Sequence, residues 1–269
     1  MRRLLLIIVS CAAAVGAVFA SPVQPPKPVS AVPAAVAKLL DQARTYLRGA
    51  RDVGDIVSLD VAGTETLLRD PHPTIDPYEF KLLLPDSLQL RTGPVVHTLA
   101  RGSYGRRLAD VARYGGPIVD RMMADPASQK AGERGMPFHL MRICITYLLR
   151  PPPAMTVTVR DEGMRDFGKV RGRAIAFENA DQHITIELVL DPVSARPLAT
   201  VSPVRTTNGD AASNTKWISI PEDYREISGV RLAHRIEEWI GTNHSRVVLT
   251  KVGINALKAG DFVTTTAVR

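Results

Sequence analysis

Hydrophobic residues change their spacing along the first hundred positions of the chain. Residues 36–51 carry apolar side chains at helical spacing, which predicts a helix. From residue 55 the period becomes two, and the alternation predicts strands over 56–61, 78–84, 88–91 and 95–99. Gly63 and Thr64 suggest a break before a short run at 66–68. This part of the sequence predicts one helix followed by a β-meander.

The middle of the chain has a helical pattern again. Residues 106–123 place apolar side chains at helical spacing, interrupted by Gly115, Gly116 and Pro117, which predicts two short helices. Pro137 suits the first turn of another helix, which we expect over 138–149. We therefore expect an all-helical insert at about 104–150, between two β regions.

Strands dominate again from residue 155 onwards. Alternating apolar residues predict strands at 155–159, 175–177, 184–190, 217–220, 230–240 and 246–254. In the run at 230–240 one face is apolar, whereas the other carries Arg231, Arg235 and Glu237. A sheet with one apolar face and one charged face follows from this pattern.

The first twenty residues have the order of an export signal: two arginines, an apolar stretch and a small residue, Ala20, before Ser21. We expect cleavage near Ala20, a flexible linker over 21–33 and a single domain over 34–269. The mature protein would then be periplasmic or secreted. Two alternatives stay open. The apolar stretch could remain as an anchor, although it is near the lower limit for spanning, and Cys11 follows a lipobox-like run and could be acylated.

Charge and cysteine content narrow the classes of function. The chain has 34 Lys and Arg against 27 Asp and Glu, and the basic residues are spread without a long run. With aromatic residues at 5%, this balance indicates a solvated surface attracted to anionic lipid, and not a nucleic-acid site. Cys144 is the only cysteine after Cys11, so no internal disulfide is expected in the mature chain. It lies in an apolar run, which favours a buried small side chain.

The motifs of common enzyme classes are missing from the sequence. The six histidines show no tight metal-ligand spacing, and no GxSxG, GxxxxGK or GxGxxG is present. Acidic residues cluster at 161–166 and at 222–223, but neighbouring Gly and Pro place both groups in turns. We therefore predict no catalytic residue, no metal and no cofactor, and a protein that is not an enzyme.

Three segments near the C-terminus resemble outer-membrane lipoprotein-sorting proteins of the LolA type. They are ITIELVLDPVSARP at 184–197, WISIPEDYREISGVRLAHRI at 217–236 and RVVLTKVGINALKAGDF at 246–262. Their order and spacing also resemble the family, over about residues 155–262. The resemblance implies an α+β fold, in which a curved antiparallel sheet forms an open half β-barrel packed on helices.

The same resemblance implies a binding protein with an apolar concave groove. Its ligand would be a lipid or an acylated polypeptide, and a membrane surface or envelope proteins would be further partners. The residues predicted to line the groove are Phe80, Leu82, Leu84, Leu188, Leu232 and Ile236. Methionines of the helical insert could form an adaptable lid; they are Met122, Met123, Met136 and Met141.

Three alternatives stay open at this point. The same apolar residues would look identical in sequence if they packed under the helices as core. A protein-interaction or sensor module resembling the periplasmic regulators of envelope stress would have a groove filled by its own side chains and a polar rim. An exported hydrolase would need a cleft where histidines and carboxylates converge.

Overall fold

The computed structural model describes residues 32–68, 73–110, 112, 116–205 and 211–262. The predicted export signal, Cys11 and nearly all of the predicted linker lie outside these residues.

Within the described residues, twelve antiparallel strands form one sheet. The strands are β1 (Ser58–Leu67), β2 (Thr74–Leu83), β3 (Ser87–Thr92), β4 (Val95–Ala100), β5 (Ser103–Leu108), β6 (Thr158–Phe167), β7 (Val170–Asn179), β8 (Ile184–Leu190), β9 (Pro197–Arg205), β10 (Ala211–Ile227), β11 (Val230–Ile240) and β12 (Asn243–Ile254). Their order across the sheet is β5-β4-β3-β2-β1-β12-β11-β10-β9-β8-β7-β6.

The strand order shows how the two β regions become one sheet. Strands β1 to β5 step outward to one edge, and the chain then crosses to the opposite edge, where β6 begins. Strands β7 to β12 step back until β12 pairs with β1, with Val61 opposite Val252. The edge strands β5 and β6 do not pair, so the curved sheet stays open. The predicted α+β open half-barrel is confirmed.

Strand β1 is continuous where the sequence suggested a break. Gly63 lies at a bulge in the β1–β12 pairing, where the register shifts between Ala62 and Gly63. A Cβ atom at Gly63 would lie 2.3 Å from the Val248 carbonyl oxygen, so no larger residue fits without movement. The glycine therefore lets β12 approach closely, and it does not end the strand.

In the described ranges the helices beside the sheet are α1 (Ala34–Leu47), α2 (Pro117–Ala124) and α3 (Pro126–Leu148). Helix α3 begins twelve residues before the predicted start at Phe138. The Asp125 side chain caps it by accepting hydrogen bonds from the backbone N–H groups of Ala127 and Ser128, at 3.2 and 2.9 Å. Pro137 lies inside the helix, at the change from its more exposed first half to its buried second half.

The predicted helical region that begins at Arg106 is wrong in its first residues. Residues Ser103–Leu108 instead form the edge strand β5, which pairs with β4 along its whole length, from Ala100 opposite Ser103 to Val95 opposite Leu108. The local spacing of apolar residues favours a helix, but it carries no information about the unpaired edge of β4. Pairing with that edge makes residues 103–108 a strand.

Candidate functional site

The residues predicted to line a groove do lie together, on the concave face of the sheet. Phe80, Leu82, Leu188, Leu232 and Ile236 are buried members of one hydrophobic cluster, and Leu84 packs against it partly buried. The same cluster contains side chains of α1 and α3, and the rings of Phe80 and Tyr147 lie 5.2 Å apart. The concave face is therefore covered, and contact of these residues with a ligand stays a prediction.

The cover is chiefly the second half of α3. The helix as a whole contacts β3, β4 and β5 on one side of the half-barrel and β8 and β9 on the other. Its apolar side chains are buried nearly all around the helix; they are Met136, Phe138, Leu140, Met141, Ile143, Cys144, Ile145, Tyr147 and Leu148. A helix that is apolar all round is typical of a core position. Of the proposed lid methionines, Met136 and Met141 are buried in this core, and Met122 lies outside the described side chains.

Little space is left between α3 and the sheet at Leu232. The cavity bordered by Leu47, Tyr147 and Leu232 has a volume of about 10 Å³. A single water needs at least about that much room. An acyl chain can therefore reach this part of the concave face only where helix side chains now lie.

One buried ion pair joins α3 to the sheet. Arg142 Nη1 donates to Glu238 Oε1 on β11 at 2.9 Å and to Ser219 Oγ on β10 at 3.0 Å. The two charged side chains are 7% and 6% exposed. The guanidinium carbon lies 3.9 Å from the centre of the Trp217 ring. Burial acts to lower the pKa of Arg142, but the Glu238 carboxylate, together with the neighbouring Tyr78 and Tyr147 side chains, outweighs burial and leaves the pKa above its usual value.

Several polar atoms around this ion pair are buried without a hydrogen-bond partner among the described residues. They are Arg142 Nε, Trp217 Nε1 and His139 Nδ1. Each unpaired buried polar atom costs about 1–3 kcal/mol relative to its hydrated state. The contact of α3 with the sheet is therefore less stable here than an apolar contact of similar area. Apolar walls with a few convergent polar groups are also typical of ligand sites.

Two other side chains of α3, Thr146 and Cys144, depend on the contact between the helix and the sheet. Thr146 Oγ1 lies 3.0 Å from Thr200 Oγ1 on β9, so the helix contacts the sheet through a hydroxyl pair. The Cys144 side chain is fully buried, and burial raises the pKa of its thiol to about 12. Since the thiolate is the reactive form, Cys144 is protected as long as α3 stays in place.

Partly buried histidines make the stability of the protein depend on pH. Burial lowers the pKa of His139 to about 3 and that of His97 to about 4. Because both values lie below the unfolded value of 6.5, stability is full above pH 6.5 and is lost as the pH falls towards the folded values.

We expect His139→Phe to reduce this pH dependence. Between pH 7 and pH 5 the wild-type free energy of unfolding should fall by about 1–2 kcal/mol more than that of the variant, allowing for the partly exposed ring. Urea unfolding at the two pH values, followed by circular dichroism, measures this difference. His183→Asn, at an exposed turn position, should behave as the wild type; equal pH dependence in all three proteins would contradict the assignment.

Four of the five acidic side chains in the clusters at 161–166 and 222–223 are held in ion pairs, and Asp166 accepts a hydrogen bond from the backbone N–H of Gly168 at 3.0 Å. Asp161 pairs with Arg173, Glu162 with Arg165 and Arg160, Glu222 with Arg235, and Asp223 with Arg225. They form no free carboxylate pair for acid–base chemistry.

Two of the described histidines lie near a carboxylate, and the sequence revealed neither contact. His234 Nδ1 is 3.9 Å from Asp223 Oδ2, and His244 makes the shorter contact. His244 Nε2 lies 2.8 Å from Glu237 Oε2 on the outer face, in a groove whose described lining contains no Ser, Thr or Cys. The residues are seven positions apart, and only the β11–β12 pairing brings them together. Without a nucleophile beside it, this pair does not supply the constellation of a hydrolase.

The described part of the chain contains no group of three or more His, Cys, Asp or Glu side chains that could hold a metal ion. None of its helices is long and apolar enough to cross a membrane.

The described strands form an open half-barrel whose concave face is covered by helices. Solved structures that are similar to the chain include the following. A LolA superfamily protein of Nitrosomonas europaea is 10% identical, with 84% of this chain and 96% of that one covered and a TM-score of 0.44. An outer-membrane lipoprotein-sorting domain of Vibrio parahaemolyticus is 11% identical, with coverage of 84% and 94% and a TM-score of 0.45.

A DUF1329 family protein of Desulfovibrio piger is 6% identical, with coverage of 85% and 97% and a TM-score of 0.45. No protein-family profile matches the chain. No curated protein matches it either.

Proposed function

We propose that this protein is an exported binding protein, not an enzyme, whose concave face takes up an acyl chain of a lipid or acylated polypeptide when α3 leaves it. In this proposal the described structure is the closed state. Export would follow from cleavage near Ala20. The observation that carries the proposal is an extensive apolar concave face that is covered mainly by one helix. That helix is held by the Arg142–Glu238 ion pair, whose surroundings contain buried polar atoms without hydrogen bonds; we call this group the polar centre.

The energetics are compatible with an exchange of helix for ligand. An acyl chain gains about 0.8 kcal/mol for each CH₂ group that it buries, so a long chain can replace much of the apolar contact that α3 gives up. The unpaired polar atoms near Arg142 would regain hydrogen bonds once water or a ligand head group reached them. A ligand shifts the equilibrium between the closed and the open state only if it binds the open state more tightly than the closed one.

A second candidate is the protein-interaction module of the same fold. The filled concave face favours it, because a module that acts through its outer surface needs no open groove. In that case α3 would be a permanent part of the core, and the binding of acyl chains would be absent.

Alkylation of Cys144 distinguishes these two candidates. Replacement of Cys11 by serine leaves Cys144 as the single thiol of the chain. A palmitoylated peptide, kept below its micelle concentration, should speed alkylation of Cys144 by about a hundredfold when its concentration is a hundred times the dissociation constant of the open state, because it increases the population of that state by mass action. Mass spectrometry of the alkylated protein gives the rate.

The same peptide without its acyl chain is the matched control and should leave the rate unchanged. Circular dichroism must stay constant, so that exposure of Cys144 reports movement of α3 and not unfolding. Binding of the palmitoylated peptide without faster alkylation would contradict the displacement of α3. Absence of any binding would favour the interaction module.

A further inference from the structure

A groove of about 970 Å³ lies on the outer face of the sheet, on the side away from α3. It is bordered by Tyr46 at the end of α1, the β6–β7 turn, the segment between β8 and β9 with the start of β9, and parts of β10, β11 and β12. Its floor includes Val170, Leu198 and Ile220, which belong to a second apolar cluster. This cluster contains Val189, whereas its neighbour Leu188 belongs to the core under α3, so the two clusters occupy opposite faces of the sheet.

The acidic side chains of this groove already have partners. Glu222 accepts hydrogen bonds from Arg235 Nε and Nη2 at 2.9 and 2.8 Å. Glu237 Oε1 accepts one from Arg246 Nε at 2.5 Å. Asp223 accepts one from Arg225 Nη2 at 2.6 Å, and the three negative charges of the groove are therefore compensated.

Three further cations border the groove: Lys169, Arg171 and Arg196. All three are exposed, and none forms an ion pair with a carboxylate among the described residues, although the charge of Arg196 helps to lower the pKa of Asp191. Lys169 Nζ lies 5.2 Å from the centre of the Trp239 ring, which forms part of the same lining. The groove thus combines an apolar floor with a rim on which positive charge is in excess, and this excess attracts an anionic occupant.

We propose that this groove binds an acidic, partly apolar polypeptide segment of a partner protein. An extended segment can place carboxylates against the rim and alternate side chains on the floor, which a single phosphate group cannot do. The apolar floor lies in a recess crossed by several strands, so the head groups of a flat membrane would reach the rim but not the floor. A volume of about 970 Å³ is ample for several side chains. The inference goes beyond the proposed function and does not require α3 to move, because the groove is on the opposite face.

The test is fluorescence anisotropy of a dye-labelled peptide of alternating aspartate and leucine, titrated with the exported protein. The combined variant Lys169→Gln, Arg171→Gln, Arg196→Gln should bind about tenfold more weakly, which corresponds to about 1.4 kcal/mol or about 0.5 kcal/mol for each ion pair. The matched control replaces three exposed cations away from the groove, Lys38→Gln, Arg101→Gln and Lys130→Gln, and should bind as the wild type.

Each other outcome overturns the proposal. Equal loss in both triple variants would show attraction by net charge alone. Binding to vesicles that contain phosphatidylglycerol, without binding to the peptide, would assign the rim to a membrane surface. Absence of binding to either probe would leave the groove without the acidic partner that we infer. Because the surface variants do not alter the core, none of these results depends on acyl-chain binding.

Discussion

Replacing Arg142 by methionine should lower the free energy of unfolding by about 3–5 kcal/mol, because Glu238 then stays buried without its counter-charge. The combined variant Arg142→Met, Glu238→Gln should recover most of this loss, since a neutral amide can still hydrogen bond to Ser219. Urea unfolding of the wild type, the two single variants and the double variant gives the coupling energy of the pair.

A surface ion pair provides the matched control for this result. Arg160 pairs with Glu178, but the two side chains are 51% and 34% exposed. Arg160→Met should therefore cost at most about 1 kcal/mol. Equal effects of Arg142→Met and Arg160→Met would contradict the view that Arg142 anchors α3. The Arg142 variant should also alkylate faster at Cys144 without any ligand, because its helix is held less firmly.

The second large effect concerns the hydroxyl pair that joins α3 to β9. Thr146→Cys and Thr200→Cys place two sulfur atoms within range of a bond, since the two hydroxyl oxygens lie 3.0 Å apart. With Cys11 and Cys144 replaced by serine, oxidation would lock α3 onto the sheet. We expect the locked protein to lose binding of the palmitoylated peptide, and reduction to restore it.

Much of the fold could be predicted from the sequence. The period-two runs placed β2, β3, β4, β8, β11 and β12 close to their observed positions. These strands alternate strongly, because one face packs on the core and the other meets solvent. Strand β5 was mistaken for helix, since its pairing with β4 is a tertiary contact that no local spacing reveals.

The candidate site was predictable only in part. Phe80, Leu188 and Leu232 could be assigned to one apolar face from their alternation, and the structure brings them together. What covers that face could not be predicted, because α3 is apolar around its buried half and has no distinct face to assign. The polar centre could not be predicted either, because Arg142 and Glu238 are far apart in sequence and meet only through the packing of the helix on the sheet.

The outer groove also depends on long-range contacts. Lys169, Arg196 and Trp239 come from three separate connections or strands, and each looks like an ordinary surface residue in its own segment. From the sequence, the basic composition therefore predicts only a solvated surface. The structure adds that three of these cations border one recess whose acidic residues are already paired.

The central claim is that α3 and an acyl chain compete for the same concave surface, and the Thr146→Cys, Thr200→Cys protein tests it most directly. Binding of the palmitoylated peptide is measured in the oxidised and the reduced protein, with Thr146→Ser, Thr200→Ser as a control that cannot form the bridge. We expect the palmitoylated peptide to bind to the reduced protein and to the control, and to lose this binding when the protein is oxidised. Undiminished binding by the oxidised protein would show that the acyl chain does not need the surface that α3 occupies.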